Sequence, residues 1–101
     1  MKVEISKDLE DLIPGYLEGI RKTVTDLKSY LAQGDWESLR VQGHRMKGSG
    51  GGYGFQFLTD RGKEIEDAAK AQDGGAIEKA LSELDEYLSS VEIEFVDSED
   101  W

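Results

Sequence analysis

The sequence predicts an all-α protein: an antiparallel four-helix bundle in up-down-up-down order with a short N-terminal helix. Three observations predict it. Apolar residues recur at three- and four-residue steps along four segments, the spacing of one helix face. Short breaks carrying glycine separate the segments, and short connections make neighbouring helices antiparallel. No hairpin signal or strand pair interrupts the pattern.

Leu9, Leu12 and Ile13 mark the short first helix. Pro14 interrupts it, because proline lacks the amide donor and clashes with the preceding turn. The same residue suits the opening of the next helix, where its fixed φ is welcome. That helix carries Leu17, Ile20, Val24, Leu27 and Leu31 and stops at Gly34. Asp35 is a good N-cap for the following helix, whose seam reads Trp36, Leu39, Gly43, Met46 and Gly50. Five glycines between positions 48 and 54 should end it, with the first of them still helical if packing holds it, since each costs about 1 kcal/mol relative to alanine. Leu58, Gly62, Ile65 and Ala69 form the seam of a helix starting near Phe55. Asp73-Gly74-Gly75 reads as a turn, and Ile77, Leu81, Leu84 and Leu88, with Val91 at its end, as the last helix.

With 101 residues the chain is one domain, a bundle over residues 1–91 followed by an acidic tail over 92–101. The tail reads as a frayed end; an extended segment docked by Phe95 and Trp101, or a peptide read by a partner, are the alternatives. The absence of cysteine rules out disulfides and thiolate metal sites and fits the cytoplasm. The first residues lack the apolar core of a signal peptide, and no apolar run approaches the length of a membrane span. A net charge of −10 argues against nucleic acid or anionic lipid as partner.

Against that acidity, Ser38 to Thr59 holds no Asp or Glu and three cations, Arg40, Arg45 and Lys47. Such patchiness bears on partner choice and encounter rate rather than on fold. Inside the patch lies His44, the single histidine. Lys47 follows one helical turn later on the same face. Gly48, Ser49 and Gly51 leave room beside it for a bulky incoming group and its carrier. If the chain reverses near Gly54 and Phe55, residues whose numbers sum to about 110 share a level, which brings Glu66 opposite His44. A Glu66 carboxylate there would accept from Nδ1–H, fix the tautomer and leave Nε2 as an outward nucleophile. Glu66 also reads as a solvated residue pairing with Lys70 at i+4. Arg40 and Arg45 read as rim charges rather than chemical players. Lysine is a flexible point charge for phosphate, and phosphoryl transfer asks mainly for access and electrostatics. The glycine run matches neither a P-loop nor a dinucleotide fingerprint, one histidine without cysteine argues against a zinc site, the plentiful acids show no calcium-loop spacing, and a single exposed histidine supports no serine triad.

The string His44, Lys47, Gly48, Ser49 and Gly54 resembles the motif of the histidine-containing phosphotransfer (HPt) domain of bacterial multistep phosphorelays, His-x-x-Lys-Gly-Ser/Ala and then Gly ten residues after the histidine. Leu58, Ile65, Glu66 and Ala68-Ala69 extend the similarity downstream, and Leu12-Ile13-Pro14 and Leu31 to Asp35 extend it upstream, so that it spans roughly residues 8 to 90. The departures are Gly50, Gly51 and Gly52, where bulkier residues are common in the family. The resemblance implies a phosphoryl carrier rather than an enzyme. His44 would take phosphate on Nε2, Lys47 would neutralise it, Gly48 would permit close approach and Glu66 would orient the ring. The implied partners are receiver domains of response regulators or hybrid histidine kinases, with Mg²⁺ in the receiver and no cofactor on this chain, which is expected to be a monomer. A helical module that docks receivers or other helices without carrying phosphate is the rival reading. The histidine domain of a kinase, detached from its ATP-binding domain, is another.

Overall fold

Pro14 stands in the first turn of α1 (Ile13–Gln33), where a missing N–H leaves no helical bond unmade. The helix buries Ile13, Leu17, Ile20, Val24 and Leu27. It stops at Gly34, whose φ of 67° is left-handed, and the Asp35 amide bonds back to Tyr30 O at 2.9 Å. The computed structural model describes residues 1–97.

Asp35 then caps α2 (Trp36–Gly50), its carboxylate accepting from Ser38 N at 3.1 Å. A 3-10 turn over Gly51–Tyr53 and a left-handed Gly54 reverse the chain into α3 (Gln56–Lys70). The expected turn at 73–75 is shorter than the sequence suggests. Gln72 takes the left-handed conformation, and Asp73 caps the Ala76 amide, so both glycines already belong to α4 (Gly74–Ser90). The four helices form the predicted bundle, each packing on its sequence neighbour and α1 closing against α4.

The backbones of α2 and α3 lie in close contact. A Cβ on Gly43 would stand 2.7 Å from Glu66 N, and one on Gly62 would collide with the backbone of Lys47. Only glycine permits this approach, and it places the α3 backbone directly beside the turn that carries His44 and Lys47.

Two details differ from expectation near the ends of the chain. The short N-terminal helix is a single 3-10 turn, Lys7–Leu9, and Ile13 already belongs to α1. The second concerns strands, for which the sequence offers only an extended tail docked by Phe95 and Trp101 as an alternative and no pairing partner. Lys2–Ser6 (β1) and Glu92–Val96 (β2) pair in parallel, with Val3 opposite Ile93 and Ile5 opposite Phe95. The tail is therefore a strand as far as Val96, not a frayed end. Val91 leaves α4 in an extended conformation to start it. Ile5 is fully buried, and Val3, Ile93 and Phe95 pack against the core. Burial of these side chains explains a pairing that local periodicity could not reveal, because the partners lie at opposite ends of the chain. Trp101, the other expected anchor of the tail, lies outside the described residues.

Candidate functional site

α2 turns His44 outward, and its ring is 63% exposed. Glu66 comes from α3 and is only 5% exposed as a residue, so it is not a solvated surface carboxylate. His44 Nδ1 lies 2.9 Å from Glu66 Oε2. Lys47 Nζ lies 2.7 Å from the other oxygen, Oε1. Lys70 Nζ approaches Oε2 at 3.9 Å. The carboxylate thus gathers three basic groups.

The hydrogen bond from Lys47 is the main reason that the Glu66 carboxyl is held down at about 2; burial opposes it, and the bond from His44 adds to the lowering. An ionised carboxylate only accepts, so Nδ1 carries a hydrogen and donates it, which in a neutral ring fixes the tautomer. Nε2 is then the nitrogen with a free lone pair, on an exposed ring.

Lys47 is not waiting for an anion in the open. It is about one-third exposed and already paired with Glu66. Arg40 is engaged too, bonded to Glu37 through Nη2 at 2.5 Å and Nε at 3.1 Å. Arg45 alone of the three patch cations makes no ion pair among the described residues. The sequence counted charges along one segment; the fold adds Glu66 from the neighbouring helix, and Glu37 from the preceding turn of α2. Arg45 rims a cleft of about 230 Å³ between α1 and α2, shared with Ile20, Thr23, Gln42, Met46 and Ser49.

The glycine run divides into two kinds. Gly50 is needed by the fold, because a Cβ there would lie 2.7 Å from Thr59 N and 2.9 Å from Phe55 O. Gly48 and Gly52 are exposed, and a Cβ on either would meet nothing within 4 Å among the described residues. Gly48 lies next to Lys47 and keeps the surface beside His44 low. Gly51 is exposed, but its amide is spent on Thr59 Oγ1 at 2.8 Å. Ser49 lies beside the patch with its hydroxyl 2.9 Å from Tyr16 OH. Tyr16 also stacks on Tyr53 with ring centroids 4.0 Å apart, tying the start of α1 to the glycine-rich end of α2.

Two contributors were missed in the sequence, Tyr16 and Thr59. Tyr16 carried no signal beyond a half-apolar helix position. Thr59 did carry one: the register that levels His44 with Glu66 also levels Gly51 with Thr59.

The four-helix bundle thus exposes one histidine, bonds it to a buried carboxylate and sets a lysine one turn away. A family model for the Hpt domain matches residues 8–94, and the chain belongs to that family. No curated protein and no solved structure matches the chain. Membership assigns it a phosphotransfer role in phosphorelay signalling, with receiver domains as the general partners. Among the described residues no helix is long and apolar enough to cross a membrane.

Proposed function

We propose that His44 accepts a phosphoryl group on Nε2 from the aspartyl phosphate of one receiver domain and passes it to the aspartate of another. The observation that carries this reading is the exposed imidazole bonded through Nδ1 to a buried, ionised Glu66. In the forward step the Nε2 lone pair forms the bond to phosphorus while the bond to the aspartate oxygen breaks, and the electron pair leaves on that carboxylate. No proton need move, because Nδ1 keeps its own hydrogen and goes on donating it to the Glu66 carboxylate. The ring gains positive charge as the P–N bond forms, and Glu66 faces that charge. The reverse step, to a second receiver, uses the same arrangement.

Lys47 would exchange partners during this cycle. Before transfer it neutralises Glu66; afterwards the phosphoryl oxygens on Nε2 compete for it, one helical turn from its root. Glu66 then keeps His44, with Lys70 near by. The proposed role of Gly48 is clearance for the partner, and that of Arg40 and Arg45 is to meet its acidic pocket. Mg²⁺ belongs to the receiver in this scheme and none to this chain. The test is labelling: mixed with a phosphorylated receiver and Mg²⁺, the chain should take up phosphate, and His44→Gln should take up none. Equal labelling of the variant would refute the assignment of His44.

A further inference from the structure

Thr59 lies on α3, away from the reacting ring, yet its hydroxyl makes two bonds to α2. Oγ1 donates to Lys47 O at 2.9 Å and accepts from Gly51 N at 2.8 Å. A hydroxyl has one hydrogen and two lone pairs, so it can do both at once. Lys47 O and Gly51 N are the i and i+4 groups that one turn of α-helix would join. A side chain from the neighbouring helix therefore clasps the last turn of α2 across both of its ends, at the point where the α-helix gives way to a 3-10 turn.

That turn needs a clasp. Its residues are Lys47, Gly48, Ser49 and Gly50, with Gly51 and Gly52 following, and glycine is a poor helix former. Lys47 is rooted there, and its ammonium must reach Glu66 Oε1, 2.7 Å away in this structure. A frayed turn would leave a long flexible side chain on a loose root. The glycines next to Lys47 also fit around Thr59: a Cβ on Gly50 would lie 2.7 Å from Thr59 N, and one on Gly51 would lie 3.4 Å from Thr59 Oγ1.

We propose that Thr59 is a positioning residue that sets Lys47 for phosphoryl transfer by bridging Lys47 O and Gly51 N. This role rests on the function proposed above for His44 and Lys47. Thr59 does not act on the reacting atoms itself. Valine at this position keeps the shape and loses the hydroxyl, whereas serine keeps the hydroxyl.

Transfer from a phosphorylated receiver to the full chain is measured at varied receiver concentration. Thr59→Val should slow the saturated rate by roughly three- to tenfold with half-saturation unchanged, because misplacement of a reacting group acts on the chemical step. Thr59→Ser should return the rate to within about twofold. In a Lys47→Ala background Thr59→Val should change nothing further, the non-additivity expected of residues acting through one group. A full rate in Thr59→Val, no rescue by serine, or the same loss without Lys47 would overturn the role. A measurement on the unaltered chain guards against a variant that fails to fold: the Gly51 amide should exchange with deuterium at least tenfold more slowly than that of Gly52, and equal exchange would overturn the clasp. Failure of the unaltered chain to take any phosphate would overturn the parent reading and this role with it. A labelled wild type with an unaffected Thr59→Val overturns this role alone.

Discussion

Glu66 is the residue that ties the site together, because one carboxylate meets His44, Lys47 and Lys70 at once. Its pH behaviour follows. The folded value, about 2, lies below the ordinary 4.5, so Glu66 contributes stability in full above the ordinary value and loses it as pH falls toward 2. Asp35, Glu37 and Asp67 are lowered as well, by hydrogen bonds from Ser38, Arg40 and Lys63, and supply part of any acid sensitivity. Thermal melts between pH 5 and 2 should therefore show a shallower loss in Glu66→Gln than in the unaltered chain; equal slopes would mean that Glu66 is not the low-titrating group. Lys47→Ala should leave the bundle folded and slow transfer about tenfold, the loss of about 1.4 kcal/mol expected for one charge-assisted bond to phosphate. Stopped-flow transfer with a labelled receiver checks it, and an unchanged rate removes Lys47 from the mechanism. The level of Glu66 with His44 was legible from the hairpin register alone. The Lys47–Glu66 pair was not: charge patterning along one segment cannot show which acids a neighbouring helix will bring.

At the scale of elements, the glycines of α2 separate what the fold needs from what a partner needs. Gly43→Ala should destabilise the bundle by about 1–3 kcal/mol, because its Cβ would stand 2.7 Å from Glu66 N with rigid backbone on the other side. Gly48→Ala should do the reverse, stabilising α2 by about 0.5–1 kcal/mol, since glycine interrupts a helix and the new methyl meets nothing among the described residues. Transfer should nonetheless slow in Gly48→Ala, because that methyl stands on the face a receiver must approach. Denaturant melts and transfer rates on the two variants together decide this, and a Gly48→Ala that is both more stable and equally fast would show that the bare surface has no function. The helices themselves were legible because each signal was local: Pro14 at a start, Gly34 at a stop, Asp35 and Asp73 at caps. The sequence showed too many glycines for a turn but not which ones packing required, since that depends on how near α3 lies.

At the scale of the whole molecule, the first described strand pairs with the last. β1 and β2 close the fold by a pairing between residues some 90 apart, and a two-stranded ribbon holds only when packed on something else. Here the packing is through fully buried Ile5 and half-buried Val3, Ile93 and Phe95. Ile5→Ala should cost about 2–4 kcal/mol, read by denaturant unfolding, whereas a cost near zero would mean that the ribbon adds nothing to the core. Strand pairing at this separation leaves no trace in a local pattern, which is why the sequence favours a frayed tail and offers the extended segment docked by Phe95 only as an alternative. The molecule as a whole is strongly acidic, and Arg45 is the patch cation with no ion-pair partner among the described residues. The proposed function rests on one exposed imidazole, bonded to Glu66, as the carrier of the phosphate. Incubation of the full chain with a phosphorylated receiver and Mg²⁺, followed by ³¹P NMR and mapping of the labelled residue, tests it most directly. The expected result is a phosphoramidate signal with phosphorus on Nε2 of His44, lost in His44→Gln. Phosphate on any other residue, or none on a chain that binds the receiver, would contradict it.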